Sequence, residues 1–364
     1  MKHKTIIFLL FGLIIMGIMI YFVGVDKVVY AFQYANLYYV LIAILIEFGV
    51  YVLFTLRWQI INKSVGIKGN FKKLFPMIML SLAVNNITPS GRGGGEPVRA
   101  YVLTKDSGIP FEESFATVIL DRTLDTLPFI ILAFLTILGL IMESTLSLTM
   151  LALLVIAIIF VILIVVALIY MSVNENFGLK VQKGLVWLIY KFSKKNAQER
   201  EERLVKAIVG FQDTMRLMLT NKSLLYKAFP VSFLIWILEI SRVCVIFMAF
   251  GFTVSPIMVG EVFIISVLVG FIPVLPGGIG IIDGTMILFF ASAGIPSNIG
   301  TAATLVERII SYWMTTILGV LTIPYYGVNV LEGRKDIDDD NSKLDDPDDK
   351  KEAIDKIKSL NEKL

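Results

Sequence analysis

Apolar residues run almost without interruption over Thr5–Gly24, Leu37–Leu56, Phe115–Met142, Leu148–Met171, Tyr226–Phe250 and Ala302–Tyr325. Each run is close to or longer than the roughly 20 residues a helix needs to cross a bilayer. Two further stretches, Leu74–Leu103 and Pro256–Ala293, read as an apolar half, a turn rich in glycine and proline, and a second apolar half. Broken elements of this kind persist at membrane depth only where they are buried in protein or line a cavity. The pattern predicts an all-α polytopic membrane protein with about six full transmembrane helices and two re-entrant broken-helix hairpins. If the broken segments cross instead, the count rises to eight or more.

The broken stretches resemble each other. "PSGRGGGE" (Pro89–Glu96) lies over "PGGIGIID" (Pro276–Asp283), both reading P-x-G-x-G-x-x-acid. Beyond them, "GIP" at Gly108–Pro110 lies over "GIP" at Gly294–Pro296, and "ATVILDR" (Ala116–Arg122) over "AATLVER" (Ala302–Arg308). Matched blocks in one order indicate a diverged duplication, about 37–142 and about 226–326. An odd number of crossings separates equivalent points, which predicts an inverted structural repeat. Inverted repeats with discontinuous helices and a site near the midplane are the pattern of secondary transporters.

Basic residues set the expected orientation. Arg57, Lys63, Lys68, Lys72 and Lys73 follow the second run, and a basic, partly amphipathic segment occupies about 174–224. Cytoplasmic N- and C-termini in the cell membrane satisfy this distribution. The opening run is longer than a signal-peptide core and is expected to be an uncleaved span. The expected organisation is one transmembrane domain, 1–332, and an acidic tail, 333–364, whose composition predicts disorder.

Composition narrows the chemistry. The chain has 364 residues, 56% of them hydrophobic, a formal net charge of +3, one cysteine and one histidine. The charge is too small to point to nucleic acid. Lone Cys244 forbids an internal disulfide, and lone His3 argues against a zinc site or a histidine triad. "GRGGGE" lacks the Lys-Ser/Thr of a phosphate-binding loop. No metal, cofactor or catalytic residue is therefore expected.

What remains is charge and glycine inside apolar sequence. Unshielded amides at Gly93, Gly94, Gly278 and Gly280 suit an anion, alone or with the positive end of the following half-helix. Asn86, Thr88 and Ser90 add hydrogen-bonding groups, and Arg92 a guanidinium for phosphate. The plainer reading is that these glycines only break a helix for tight packing. Glu96, Asp121, Arg122, Asp283, Glu307 and Arg308 are charges within apolar stretches, where ionisable groups mark functional sites or structural ion pairs. Neighbours in sequence do not face each other on a helix, so Asp121 and Arg122, like Glu307 and Arg308, need separate partners. Asp125 is spaced to pair with Arg122, and Glu239 with Arg242; these are supporting residues. Arg242 and Glu239 have no evident counterpart in the first copy, and Glu47 stands alone.

"NNITPSGRGGGEPVRAY", "ATVILDR", "PVLPGGIGIIDG" and "TLVERIISYW" resemble the flippase-type transmembrane region of bacterial lysyl-phosphatidylglycerol synthases and the stand-alone flippase-like membrane proteins of bacteria and archaea. The resemblance implies handling of a phospholipid. In the two-domain enzymes a separate cytosolic domain makes the lipid; here only the acidic stretch follows Tyr326, so translocation rather than synthesis is expected. The expected partners are membrane lipids with a phosphate-containing headgroup, and a second copy of the chain is a possible one. Alternatives are a solute transporter on the same frame, a membrane enzyme using Glu96 or Asp283 as acid or base, and a non-transporting scaffold.

Overall fold

The computed structural model describes residues 26, 33–67, 69–88, 93–143, 148–192, 197–270, 278 and 280–326. The expected first span, Ser90, Arg92 and the acidic tail lie outside the described residues. Among those described there are helices and no strand. In chain order they are α1 (Leu37–Ser64), α2 (Phe71–Ile87), α3 (Gly95–Ser107), α4 (Phe111–Glu143), α5 (Leu148–Val173), α6 (Glu175–Phe192), α7 (Ala197–Thr220) and α8 (Lys222–Ala249). They continue with α9 (Pro256–Gly270), α10 (Ile281–Ser292), α11 (Ser297–Arg308), a π-helical segment Ile309–Met314, and α12 (Thr315–Tyr326). Five stretches are long and apolar enough to cross a membrane: Leu37–Ser64, Phe111–Met142, Leu151–Ser172, Lys222–Ala249 and Ser297–Tyr325. The protein is an all-α polytopic membrane protein.

Each helix that leads a broken pair is 28 residues long, α1 before α2–α3 and α8 before α9–α10. Both begin at an asparagine whose side chain accepts from an amide of the first turn, Asn36 from Tyr38 and Asn221 from Leu224; this satisfies donors the helix leaves unpaired. α1 and α8 pack on each other and run antiparallel. The Asn36 amide donates to the Ala249 carbonyl at 2.7 Å. Val40 and Ala43 share a buried cluster with Val243 and Phe247, whereas Trp58 and Ile61 share one with Leu224 and Ala228.

One expectation fails at the end of α1. Arg57 is not a loop cation: the helix continues to Ser64, and Arg57 is 1% exposed within it. An isolated arginine there would be costly in lipid. It is retained because carboxylates on α4 reach it, so it no longer counts toward membrane orientation.

Two contacts explain Gly94 and Gly95. A Cβ on Gly95 would lie 2.0 Å from the Ser81 carbonyl oxygen of α2, and one on Gly94 would lie 2.4 Å from Thr88 Oγ1. The start of α3 thus packs backbone to backbone against α2. Gly95→Ala is expected to cost about 1–3 kcal/mol through overpacking, seen as a lower melting temperature in detergent. Gly184→Ala on α6, where nothing lies within 4 Å of the added carbon, is the control. Equal melting temperatures for the two variants would rule out this tight approach.

α6 and α7 pack on each other within the basic segment, and α7 also packs on α4 and α5. α5 turns Leu153, Ile156, Phe160 and Leu163 outward. That apolar exterior suits a helix with lipid on one side.

Candidate functional site

The charged residues in the apolar stretches converge. On α4, Asp121 accepts from Arg57 Nε at 2.7 Å through one oxygen and from Arg99 Nη1 at 2.9 Å through the other. Arg57 Nη1 also donates to Asp125 at 2.7 Å and to Ser232 of α8 at 3.0 Å. Arg99 stacks over the Trp58 ring with its guanidinium carbon 4.7 Å from the centroid. On the other side Arg242 Nη2 donates to Glu307 at 2.9 Å and pairs with Glu239 at 2.6 Å, while Nη1 donates to Glu47. All of these except Glu239 and Asp125 are almost fully enclosed.

If α1 is laid on α8 from their first residues, Arg57 falls on Arg242, Glu47 on Ser232 and Tyr51 on Trp236. The contacts follow the same exchange. Arg57 reaches Ser232, and Arg242 reaches Glu47. Arg57 takes the aspartate before Arg122, and Arg242 takes the glutamate before Arg308. Arg242 therefore has a positional match in Arg57 of α1, and Glu47 is not alone. The sequence pattern hid both because Arg57 sits near the end of its apolar run and its partners are far along the chain.

The two acids of the glycine motifs also play matching parts. Glu96, in the first turn of α3, pairs with Arg122. Asp283, in the first turn of α10, pairs with Arg308 Nε at 2.7 Å. Each adjacent acid–arginine dipeptide is thus split between different partners, as helix geometry requires. Asp125 lies only 3.9 Å from Arg122 Nη1, and its shorter bond is to Arg57.

The turn residues are held more than they are free. Gly95 N–H donates to Asn85 Oδ1 at 2.6 Å, and Asn85 donates to Glu96 at 3.1 Å. Asn86 donates to Thr316 at 2.9 Å and to the Tyr312 carbonyl, and the Tyr312 hydroxyl returns a bond to the Asn86 carbonyl. Thr88 caps α2 by donating to Val84. Gly278 and Gly280 have φ of 67° and 78°, a region L-residues with side chains seldom occupy. Gly280 N–H is engaged by Asp283 at 2.8 Å.

A cavity of about 150 Å³ lies among α1, α2, α4, α8, α9, α10, α11 and the π-helical segment. Its polar lining includes Glu47, Arg122, Glu239, Arg242, Glu307 and Arg308. Asn85 and Asn86 at the end of α2, and Ile282 and Met286 of α10, bring both broken elements to its wall. The π-helical segment follows Arg308 directly and places Tyr312 beneath its guanidinium, 4.8 Å from the ring centroid. Such segments recur at functional sites, and no periodicity in "IISYWM" announces one.

A second space, about 480 Å³, runs between α4 and α5. Its walls are mainly apolar: Phe115, Ile119, Phe129, Phe160, Ile164, Val165 and Leu168. Gly93 and Glu96 stand at one side. Phe160 and Ile164 are exposed on the outer face of α5. Arg122, Asp125, Trp236 and Val267 line both this groove and the polar cavity.

A polytopic helical protein with a charge-paired cavity at its centre and an apolar groove beside it is the class defined by these features. The chain belongs to the family described as the lysylphosphatidylglycerol synthase TM region, whose model matches residues 6–319. It is similar to a UPF0104 membrane protein of Methanothermobacter thermautotrophicus, 45% identical over 332 residues, which are 91% of this chain and 98% of the relative. A UPF0104 membrane protein of Methanocaldococcus jannaschii is 32% identical over 321 residues, 88% of this chain and 94% of that one. More distantly, the glycosyltransferase AglD of Haloferax volcanii is 21% identical over 289 residues, 73% of this chain and 45% of that protein.

Proposed function

We propose that this protein translocates a phosphate-containing lipid between membrane leaflets, without catalysing a covalent change. The observation that carries the reading is the position of Arg122. Its side chain is 33% exposed and lines both the polar cavity and the apolar groove. A phosphate held there would sit among polar groups while its acyl chains lay along α4 and α5. A soluble solute would have no use for the apolar groove.

Arg122 and Arg308 are the principal phosphate ligands in this reading, each held in place by the acid of a glycine motif. Arg92, Ser90 and the amides of Gly93 and Gly94 would complete the approach, with Thr88 and Asn86 at its edge. The antiparallel run of α1 and α8 and their exchanged contacts support two halves related by inversion, with each broken segment entering and leaving on one side. Cytoplasmic termini in the cell membrane follow from the lysines of the basic segment. A lipid seated between such halves would face one leaflet or the other as they rock.

The test is reconstitution of the purified chain in liposomes with fluorescent phosphatidylglycerol, phosphatidylethanolamine and a headgroup-free diacylglycerol. Phosphate-bearing probes should exchange leaflets faster than the diacylglycerol control relative to empty vesicles. Arg122→Gln should slow them at least about tenfold, the loss expected for about 1.4 kcal/mol. Mass spectrometry of the recovered lipids should show no new product. Unchanged exchange in Arg122→Gln, or a converted lipid, would sink the reading.

A further inference from the structure

Arg122 and Arg308 match in sequence but are held differently. Each follows an acid at the end of a matched block, and each pairs with the acid of a glycine motif. Past Arg122 the backbone continues as α4, and the side chain is 33% exposed. Past Arg308 it widens into the π-helical segment, and the side chain is 8% exposed. The guanidinium of Arg308 lies over the ring of Tyr312, within that segment. A cation over an aromatic face is attracted to it and held at a fixed height. Arg308, Tyr312 and Asn86 all line the polar cavity.

The same tyrosine is bound twice to the end of α2. Its hydroxyl donates to the Asn86 carbonyl at 2.9 Å, and its carbonyl accepts from the Asn86 side-chain amide at 3.2 Å. A π turn bonds five residues apart instead of four, so the hydrogen-bond ladder changes register where it rejoins an α-helix. The Tyr312 carbonyl stands at that change. Side chains bond to it there: the Thr316 hydroxyl at 2.7 Å and Asn86, which also donates to Thr316 at 2.9 Å. Further on, α12 meets α2 backbone to backbone. A Cβ on Gly319 would lie 2.2 Å from the Met79 carbonyl oxygen. Elements packed this closely transmit a displacement and do not absorb it. The π segment is thus the joint between α11, which carries Arg308, and a body made of α12 and α2.

We infer that Tyr312 and Asn86 are positioning residues: Tyr312 sets Arg308 for a phosphate group, and its paired bonds to Asn86 couple occupancy of Arg308 to the position of the α2 end. Neither residue needs to touch the phosphate. The α2 end leads directly into the first glycine stretch. A phosphate drawn to Arg308 therefore acts on the first broken element as well as on the second. Coupling of this kind is reciprocal, so the position of α2 also biases the affinity at Arg308. The two matched arginines then divide the work. Arg122 stands open to the groove, whereas Arg308 reports a bound headgroup to the backbone.

This inference rests on the translocase reading for the phosphate, but the coupling is measured without lipid movement. The full chain in detergent is titrated with glycerol phosphate by calorimetry and followed by amide hydrogen exchange. Tyr312→Leu, which removes the ring under Arg308, should weaken binding at least about threefold, the loss of one partly buried cation–ring contact. Tyr312→Phe keeps the ring and should restore native affinity. In the native protein glycerol phosphate should slow exchange both in residues 305–316 and in residues 80–87. In Tyr312→Phe and Asn86→Ala the slowing in 305–316 should remain and that in 80–87 should vanish. Should Asn86→Ala fold poorly, Tyr312→Phe, which removes a single oxygen, carries the test. Native affinity in Tyr312→Leu would overturn the positioning of Arg308. Slowing confined to 305–316 in the native protein, or kept at 80–87 in Tyr312→Phe, would overturn the coupling. A native protein that binds no glycerol phosphate overturns both. If the coupled slowing is present and sensitive to the substitutions but liposomes show no lipid exchange, the coupling stands and the translocase reading falls.

Discussion

Arg242→Ala is expected to cost about 3–5 kcal/mol of folding stability, because it leaves buried carboxylates without their partner. Glu47 and Glu307 both bond to this guanidinium at positions almost closed to solvent. Glu47 comes from α1, Arg242 from α8 and Glu307 from α11, so the loss loosens the contact among three helices and not one helix alone. Denaturant or thermal unfolding in detergent checks it. The reason for the loss is tested by removing the orphaned charges as well. Arg242→Met combined with Glu47→Gln and Glu307→Gln should recover most of the stability, since replacing a whole buried ion network is often close to neutral. If Arg242→Ala unfolds like the native protein, the network does not bear on stability.

Much of this architecture was legible from hydrophobic runs. The five long apolar helices coincide with five runs in the sequence, and both broken stretches fall where glycine and proline interrupt them. The separation of Asp121 from Arg122 and of Glu307 from Arg308 followed from helix geometry alone. Arg57, Arg99 and Glu47 were not legible as a site, for a common reason. Each is a single charge whose partner lies on another helix, and distance along the chain says nothing of contact across it. Arg57 read as a loop cation because it follows "TL" at the end of an apolar run, where a lysine-rich stretch begins. The available signal lay in the two 28-residue helices that precede the broken stretches. Laying α1 on α8 from their first residues places Arg57 on Arg242, and a charge at the same place in two matching helices calls for a partner in both. The amide cradle shows the opposite limit. Glycines near a helix start suit an anion, yet Gly95 and Gly280 direct their amides to Asn85 and Asp283. In the proposed translocase reading, the weight of phosphate recognition therefore shifts from backbone amides to the arginines.

The groove between α4 and α5 separates a lipid path from a solute path most sharply. Ile164→Trp is expected to reduce lipid exchange at least about tenfold. Ile164 lines the groove and is exposed on α5, so a larger ring there enters the groove without displacing a buried neighbour. Overpacking penalties apply to filled cores, and the melting temperature in detergent should hardly change. Ile164 is not part of the polar cavity wall. A water-soluble headgroup such as glycerol phosphate should therefore bind Ile164→Trp as it binds the native protein, measured by calorimetry in detergent. Arg122→Gln should do the reverse and weaken glycerol phosphate binding, because the guanidinium serves headgroup and lipid alike. Two variants thus divide the substrate, one blocking its tails and the other its phosphate. If Ile164→Trp moves lipid at the native rate while Arg122→Gln does not, the tails take another route. If both leave lipid exchange intact, the junction at Arg122 is not on the path at all.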